Sequence, residues 1–386
     1  MTTSRSIWPA FVPYDEKEFV LSPSRWLAVF ASLAVLVIGV SACGSSSDSS
    51  SSSAGNLSGE VAGAGSTAQE AAQEAWTAEF ENANSGATIT YDAVGSGGGR
   101  EQFIAGGVGY AGSDAALSPE EGELKKAGER CKSGKLVEVP AYISPIAIIY
   151  NLEGVDSLQL DPETLAKIFA QKITSWNDPA IAKDNPGVEL PSTRIVPVNR
   201  SDESGTTQNF TEYLSEVVPS IWNYEVSGDW PVKGGEAAQG TSGVVEAVTA
   251  GEGSIGYADA SQAGELGVAT IKVGKEYAEP TPEAAAKIVE ESPEAKDEVA
   301  GPYTIPFELD RKTESQGTYP IVLVSYLIGC TKYSSAGEAA IVKAYFEYAI
   351  SSEGQKVAAE NAGSAPLSAA LTKKVQPAVE AIEGSS

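Results

Sequence analysis

Histidine is absent from the 386-residue sequence, methionine occurs once, and cysteine occurs three times. The absence of histidine removes the commonest general base, the Ser-His and Cys-His nucleophile pairs, and the usual zinc and copper ligand sets. The cysteines lie far apart and form no C-x-x-C pair and no metal-binding spacing. We therefore expect no metal, no cofactor and no catalytic activity, although carboxylate and lysine chemistry remain open.

Basic residues are also scarce: 26 Lys and Arg stand against 52 Asp and Glu, which gives a formal net charge of −26. A surface with this charge repels nucleic acid and anionic membranes, so neither is expected as a partner. Any anion site in this chain must be built from local backbone dipoles and one or two well-placed cations. The length suits two lobes of ordinary size, and the 42% of hydrophobic residues is typical of a globular protein.

The beginning of the chain has the composition of an export signal. Residues 27–40 form an apolar run, shorter than the about 20 residues of a transmembrane helix, and small residues separate it from Cys43. We predict a signal peptide over residues 1–42, with a true start near residue 20, and a diacylglyceryl group on Cys43. The serine-rich residues 43–56 predict a flexible tether. The protein is therefore expected to be exported and lipid-anchored on the extracytoplasmic face of the cell membrane.

Two cysteines, Cys131 and Cys330, remain once Cys43 carries lipid. An even pair in an exported protein favours a disulfide, and two free buried thiols are the alternative. We expect the disulfide.

Strand-like and helix-like segments alternate from residue 57 onward. Strands are predicted over residues 87–94, 109–114, 194–200, 254–259 and 319–329, and residues 136–151 predict two strand pieces interrupted by Pro140 and Pro145. Helices are predicted to begin at Ala68, Asp161, Gln208 and Ala336, with Asp161 and Pro162 as an N-cap and N1 pair. This alternation predicts an α/β fold with helix-covered sheets. Two long apolar strands, 143–150 and 321–328, are candidates for crossovers between lobes.

Three turns rich in glycine, serine and threonine share one design, because each follows a strand signal and precedes a helix signal. They are GAGST at 63–67, GSGGGR at 95–100 and RSDESGTT at 200–207. Small residues let the backbone approach a ligand, and the start of the helix points free N–H groups at it. One such turn is commonly just a structural connection between a strand and a helix. Three of them, with an arginine and an aspartate at turn positions, favour an anion site. None has the spacing of a P-loop, a Rossmann motif or a G-x-S-x-G elbow.

These turns, with GSDAALS at 112–118 and KITSWND at 172–178, resemble the matching stretches of the phosphate-binding proteins of high-affinity phosphate ABC transporters. The matching stretches occur in the same order as in the family, from residue 57 to about residue 375. The sequence resembles the actinobacterial members of this family. It implies a type II periplasmic-binding-protein fold, in which two α/β lobes are joined by two crossover strands and phosphate lies in the cleft. The expected boundaries are 57–145 and 324–386 for a discontinuous lobe I and 146–323 for lobe II.

The resemblance also implies a set of site residues. The implied phosphate ligands are the hydroxyl of Thr67, the N–H of Ala68, Ser96, Asp114, Arg200, Ser204, Gly205 and Thr206, with Asp202 as the acid that steadies Arg200. Two positions depart from the family's pattern. Ala68 stands where the family often has an aromatic residue, and Gly97 stands where it often has a second serine.

Asp114 is the expected basis of selectivity. Phosphate at neutral pH carries at least one proton, and an ionised carboxylate can accept a hydrogen bond from it, whereas fully ionised sulfate has no proton to give. A site of this kind rejects sulfate because the sulfate oxygen faces a negative charge. The alternatives to ligand binding are purely structural: Asp114 could be a surface or capping acid at a strand end, and Arg200 could form a surface ion pair with Asp202.

The expected function is extracytoplasmic capture of inorganic phosphate and its delivery to the permease subunits and ATPase complex of a phosphate ABC transporter. Three other functions stay open: binding of sulfate or molybdate, an extracellular phosphatase with Ser96 or Thr206 as nucleophile, and a cell-wall adhesin. The acid at Asp114 argues against the first, because those ligands lack a proton. No base or metal cluster in the sequence supports the second.

Overall fold

A computed structural model describes residues 57–132, 134–293 and 301–384. The predicted signal peptide (1–42), the predicted lipidation site at Cys43 and the predicted tether (43–56) lie outside these residues. Within the described ranges, none of the helices has both the length and the apolar composition that spanning a bilayer requires.

Strands and helices alternate along the described chain. The strands are β1 (Gly59–Gly65), β2 (Ala87–Asp92), β3 (Tyr110–Ser113), β4 (Leu136–Tyr150), β5 (Gln159–Leu160), β6 (Val196–Arg200), β7 (Glu236–Ala238), β8 (Ser254–Asp259), β9 (Gly267–Val273), β10 (Glu276–Ala278), β11 (Val322–Cys330), β12 (Lys332–Tyr333) and β13 (Glu383–Gly384). The helices are α1 (Glu70–Ala83), α2 (Ser96–Ala105), α3 (Glu123–Arg130), α4 (Pro162–Phe169), α5 (Pro179–Asp184), α6 (Gly205–Val217), α7 (Gly240–Ala250), α8 (Pro282–Glu291), α9 (Ala336–Ile350), α10 (Ser352–Ala362) and α11 (Ala369–Glu380), with a 3-10 turn at Ala260–Gln262. The predicted α/β class is confirmed.

The strands form one hydrogen-bonded path in the order β2-β1-β3-β11-β4-β8-β6-β7, and β9 joins it beside β4 and carries β5 and β10. β1 is parallel to β2 and β3, and β6 is parallel to β7 and β8, as helical crossovers require. β11 runs antiparallel to β3 and β4. β4 contacts both halves of the path, because its residues up to Pro145 pair with β11 while Ile146–Tyr150 pair with β8.

β4 is one continuous buried strand of 15 residues, so the prediction of two pieces interrupted at Pro140 and Pro145 is wrong. A proline breaks a ladder only where a neighbouring strand needs its missing N–H. Pro140 lies opposite Tyr326, where the register between the two strands shifts, and Pro145 lies opposite Val322 at the end of the paired stretch. Both prolines therefore sit where the ladder tolerates them.

The disulfide between Cys131 and Cys330 is present, as predicted, and joins residues 199 positions apart whose Cα atoms are 5.4 Å from each other. Cys131 directly follows α3, and Cys330 ends β11. The bond therefore fastens the helix that precedes β4 to the strand that pairs with β4. Both cysteines are buried in the main apolar core.

Candidate functional site

The three predicted anion turns (63–67, 95–100 and 200–207) meet in one place. The starts of α2 and α6 approach so closely that a Cβ on Gly205 would lie 2.7 Å from the Ser96 hydroxyl. The predicted ligands gathered here are Thr67, Ala68, Ser96, Asp114, Arg200, Ser204, Gly205 and Thr206, and all of them are buried. Helix N-termini that converge in this way direct unpaired backbone N–H groups towards a shared point.

The first turn is organised by Ser66, which sequence reasoning missed. Its Oγ accepts hydrogen bonds from the N–H groups of Ala68 and Gln69, both at 3.1 Å, and donates to Asp114 Oδ1 at 2.5 Å. The helix therefore begins at Glu70, two residues later than the predicted Ala68. The Ala68 N–H, an expected phosphate contact, is bonded to Ser66 in this structure, and its role towards a ligand stays a prediction.

Thr67 contacts the start of α7, a region that was not predicted to belong to the site. Its Oγ1 lies 2.8 Å from Thr241 Oγ1 and accepts the Thr241 N–H at 3.2 Å. The carbonyl of Thr67 accepts from Gln262 Nε2 at 3.0 Å. The sequence GTSG at 240–243 is a fourth small-residue turn before a helix, so the same signal that revealed the other three marks this one.

Asp114 lies buried at the end of β3 and accepts hydrogen bonds from three hydroxyls. Ser66 and Ser325 both donate to Oδ1, the latter at 2.7 Å, and Thr206 donates to Oδ2 at 3.3 Å. Its own N–H donates to Ser96 Oγ at 3.1 Å. Each carboxylate oxygen accepts about two hydrogen bonds, so Oδ1 is saturated and Oδ2 retains one acceptor position. This is not the environment of a surface or capping acid.

Asn209, on the second turn of α6, holds the backbone of Asp114. Its Nδ2 donates to the Asp114 carbonyl at 2.7 Å and to the Gly205 carbonyl at 2.9 Å, and its Oδ1 accepts from Arg311 Nη2 at 2.5 Å. Arg311 is itself buried and paired with Glu212 at 2.6 Å. A single asparagine within an amphipathic helix gives no sequence signal for this role, because its partners are distant along the chain.

Arg200 and Asp202 form a two-pronged pair. Arg200 Nε donates to Asp202 Oδ1 at 2.8 Å, and Nη2 donates to Oδ2. Burial alone raises the pKa of Asp202, but the hydrogen bonds and charge of Arg200 and the N–H of Gly240 at 3.1 Å outweigh it and hold the pKa below its usual range. Asp202 is thus ionised at neutral pH. The pair uses two of the five N–H groups of a guanidinium and fixes the plane in which the others lie.

Ser204 and Thr206 begin α6, and their hydroxyls have separate roles. Ser204 Oγ caps the helix by accepting the Thr207 N–H at 3.2 Å, so α6 starts at Gly205 and not at the predicted Gln208. Thr206 Oγ1 reaches Asp114. The turn therefore presents backbone N–H groups and hydroxyls together, which is the chemistry that a tetrahedral oxyanion requires.

A second buried arginine, Arg100, lies beside the site and was not predicted to take part in it. Its guanidinium bonds to Glu123 Oε1, Ser113 Oγ and Glu203 Oε1, each at 2.9 Å. A Cβ on Gly97 would lie only 1.1 Å from Glu203 Oε2. The carboxylate of Glu203 thus occupies the space that a side chain at position 97 would need, which gives a physical reason for the glycine there.

The site has donors for an anion and one open carboxylate position. Within the described residues no three His, Cys, Asp or Glu side chains are grouped so as to hold a metal ion. Arg200 and Arg100 supply positive charge here, and both are tied to carboxylates. Such a set of groups can bind and orient a small oxyanion that carries a proton.

Known proteins with similar sequences show the family to which the chain belongs. The PBP superfamily domain matches residues 49–353. The phosphate-binding protein PstS2 of Mycobacterium bovis is 37% identical over 313 residues, which cover 77% of this chain and 80% of the relative. The phosphate-binding protein PstS 3 of Mycobacterium leprae is 37% identical over 311 residues, covering 78% of this chain and 81% of the relative.

Solved structures agree with the fold. A high-affinity periplasmic phosphate-binding protein (PfluDING) solved with bound phosphate superposes with a TM-score of 0.69 at 23% identity, covering 82% of this chain and 93% of that protein. A Clostridium perfringens protein solved with bound phosphate superposes with a TM-score of 0.56 at 19% identity, covering 80% of this chain and 100% of that protein. At such identities the likeness shows the fold alone, and it confirms the expected type II periplasmic-binding-protein fold.

Proposed function

Because the chain belongs to the family of phosphate-binding proteins in the PBP superfamily, we propose that it binds inorganic phosphate outside the cytoplasm and delivers it to a phosphate ABC transporter. Members of this family are substrate-binding proteins of transporters, so the chain is a binding protein and not an enzyme. Its ligand is phosphate, and the family uses no cofactor. The phosphatase and adhesin alternatives are thereby set aside.

One observation carries the proposal: a buried acid, Asp114, is bonded to Thr206 at the start of α6 and to Ser96 at the start of α2. The proposed phosphate ligands are Thr67, Ala68, Ser96, Asp114, Arg200, Ser204, Gly205 and Thr206, with Asp202 orienting Arg200. The remaining acceptor position on Asp114 Oδ2 accepts a hydrogen bond from the phosphate O–H, and hydroxyls, N–H groups and Arg200 donate to the other phosphate oxygens. Sulfate is rejected because it presents a bare oxygen to Asp114.

The proposed lobes are residues 57–145 with 324–386 (lobe I) and residues 146–323 (lobe II). The sheet path supports this division, because β4 pairs with β11 up to Pro145 and with β8 from Ile146 onward. The ligands Thr67, Ser96 and Asp114 then belong to lobe I. The turn 200–207 belongs to lobe II, so phosphate binds between the lobes.

The finer localisation is also part of the proposal. We propose that Cys43 carries lipid and holds the exported protein at the membrane, where both lobes face the permease around the mouth of the cleft. Replacing Cys43→Ser is expected to abolish partitioning of the protein with membranes or to leave it unprocessed. Unchanged partitioning and mass would contradict lipidation, because stable anchoring depends on the acyl chains.

Equilibrium dialysis with labelled phosphate tests the main proposal. Saturable binding that survives an excess of sulfate is expected, and no binding by a phosphate-stripped sample would overturn it. The Arg200→Ala variant should lose about 2 to 4 kcal/mol of binding free energy, as for a buried charge-assisted contact. Arg194→Ala is a matched control, because Arg194 lies six positions earlier, just before β6, and is exposed.

A further inference from the structure

Arg100 and Glu203 come from opposite sides of the proposed cleft and form an ion pair at 2.9 Å. Arg100 lies on α2, which begins with Ser96, and its side chain is 3% exposed. Glu203 directly precedes Ser204 in the turn that opens α6. We propose that this Arg100–Glu203 pair bridges the two lobes and holds the phosphate site closed, so that both are positioning residues for phosphate retention; this rests on the function proposed above.

The partners of Arg100 divide between the lobes. Glu123 and Ser113 belong to lobe I, as Arg100 does, and they fix the guanidinium within that lobe at 2.9 Å each. Glu203 is its partner from lobe II. An opening of the cleft therefore leaves the first two contacts intact and breaks the third.

Glu203 is fitted between two glycines, one from each lobe. A Cβ on Gly97 would lie 1.1 Å from Glu203 Oε2, and a Cβ on Gly228 would lie 2.2 Å from Glu203 Oε1. The backbone next to Glu203 is also fixed to Gly228, because the Ser204 N–H donates to the Gly228 carbonyl at 3.0 Å. The Glu203 carboxylate thus fills the space beside both glycines, and a side chain at either position would displace it.

The pair acts on the same segments that carry the proposed ligands. Arg100 is one turn after Ser96, Ser113 directly precedes Asp114, and Glu203 directly precedes Ser204. When the pair forms, it draws the start of α2, the end of β3 and the turn before α6 together. It therefore aligns the ligands in the closed state and contributes nothing to the open one.

This arrangement predicts an effect on phosphate dissociation more than on association. Phosphate first meets an open cleft, in which Arg100 and Glu203 are apart, and leaves only when the cleft opens again. A contact made only in the closed state slows opening and leaves the encounter rate nearly unchanged. Loss of Glu203 also leaves part of a buried cation without its partner, which favours the open form.

The test compares two neutral, nearly isosteric variants of the full mature chain, Glu203→Gln and Glu123→Gln. Both remove one carboxylate from Arg100 at the same distance, but only Glu203 crosses the cleft. Labelled phosphate is chased with unlabelled phosphate, and association is followed by rapid mixing. We expect Glu203→Gln to speed dissociation about 10-fold while changing association less than about twofold, and Glu123→Gln to stay within about threefold in both. Arg100→Lys, which keeps the charge, is expected to dissociate more slowly than Arg100→Met.

The outcomes separate this inference from the proposed function. If wild-type chain binds no phosphate, the proposed function fails, and the role of the pair in phosphate retention fails with it. If wild type binds phosphate but Glu203→Gln dissociates at the wild-type rate, the inference is overturned. Equal acceleration by Glu123→Gln also overturns it, since the effect then arises within lobe I.

Discussion

The hydroxyl of Ser325 donates to Asp114 Oδ1 at 2.7 Å, although the two residues are 211 positions apart. With Ser66 on the same oxygen, this bond leaves Oδ2 as the side of the carboxylate that faces the start of α6 through Thr206. These hydroxyls therefore fix the orientation of the Asp114 carboxylate. The remaining acceptor position on Oδ2 is held on the side of the start of α6. Asp114 can distinguish protonated phosphate from sulfate only if an acceptor position of its carboxylate faces the ligand in this way.

Replacing Asp114→Asn tests that selectivity. The amide keeps the size of the side chain, and its oxygen can still accept a hydrogen bond from the phosphate O–H, so phosphate binding is expected to weaken only modestly. Sulfate binding is expected to gain, because the repulsion is removed and an N–H can face its bare oxygen. Competition dialysis of labelled phosphate against sulfate measures the ratio of the two affinities. Asp92→Asn, an exposed aspartate at the end of β2, is the control.

An unchanged phosphate-to-sulfate ratio in Asp114→Asn would show that the acid is not the discriminator. The hydroxyls of Ser66 and Ser325 would then serve only to keep a structural carboxylate in place. A fall in both affinities by the same factor leads to the same conclusion.

Sequence reasoning found the turns because their signal is local. Glycine, serine and threonine before a helix mark a helix start whatever the rest of the chain does, and α9 begins at the predicted Ala336 for the same reason. The Arg100–Glu203 pair has no such signal, because its two residues are separated by 103 positions. β4 was misjudged because proline's effect depends on which neighbour lies opposite it, and pairing is a tertiary property.

The Cys131–Cys330 disulfide closes a long loop, and its removal is expected to destabilise the fold. The double variant Cys131→Ala/Cys330→Ala should lose about 2 to 4 kcal/mol of unfolding free energy, mainly because the unfolded chain gains freedom. Urea denaturation of oxidised wild type and of the variant measures the difference. Reduced wild type should match the variant, and phosphate affinity well below the transition should stay the same. Equal midpoints for oxidised and reduced wild type would contradict the prediction.

Asp259 predicts a specific dependence of stability on pH. Burial raises the pKa of Asp259 to about 6, although Ser261 Oγ at 2.6 Å, the Ser261 N–H at 3.0 Å and Tyr142 at 3.0 Å donate to it. The folded state therefore binds this proton more tightly than the unfolded state, whose aspartate pKa is about 3.9. The stabilisation is complete below pH about 4 and is lost as the pH rises through about 6, and two pKa units correspond to about 3 kcal/mol.

The Asp259→Asn variant isolates this effect. Its amide can donate to the Tyr142 hydroxyl, which can in turn donate to the Ala362 carbonyl at 3.1 Å, so the hydrogen bonds survive without a charge. The unfolding free energy of the variant relative to wild type is expected to rise by about 2 kcal/mol between pH 4 and pH 7. Chemical denaturation at four pH values measures it, with the exposed Asp156→Asn as control. Parallel pH curves for Asp259→Asn and wild type would refute the assignment.

Gly97→Ser tests the Arg100–Glu203 pair without removing either charge. The new Cβ would lie 1.1 Å from Glu203 Oε2 and 2.3 Å from its Cδ. The carboxylate must therefore move away from position 97, and its contact with Arg100 is lost. Phosphate dissociation is expected to accelerate about as much as in Glu203→Gln, roughly 10-fold, with little change in association. The chase of labelled phosphate measures both rates.

Two further variants decide whether that acceleration passes through Glu203. Gly98→Ser places the same side chain one position along α2, where its Cβ would meet Val94 at 3.1 Å and not Glu203, so dissociation should stay near the wild-type rate. In the double variant Gly97→Ser/Glu203→Gly no carboxylate remains to be displaced. The double variant should therefore release phosphate no faster than Glu203→Gly alone, since mutations that act through one contact are not additive. Rates that multiply would mean that serine at position 97 disturbs the start of α2 directly.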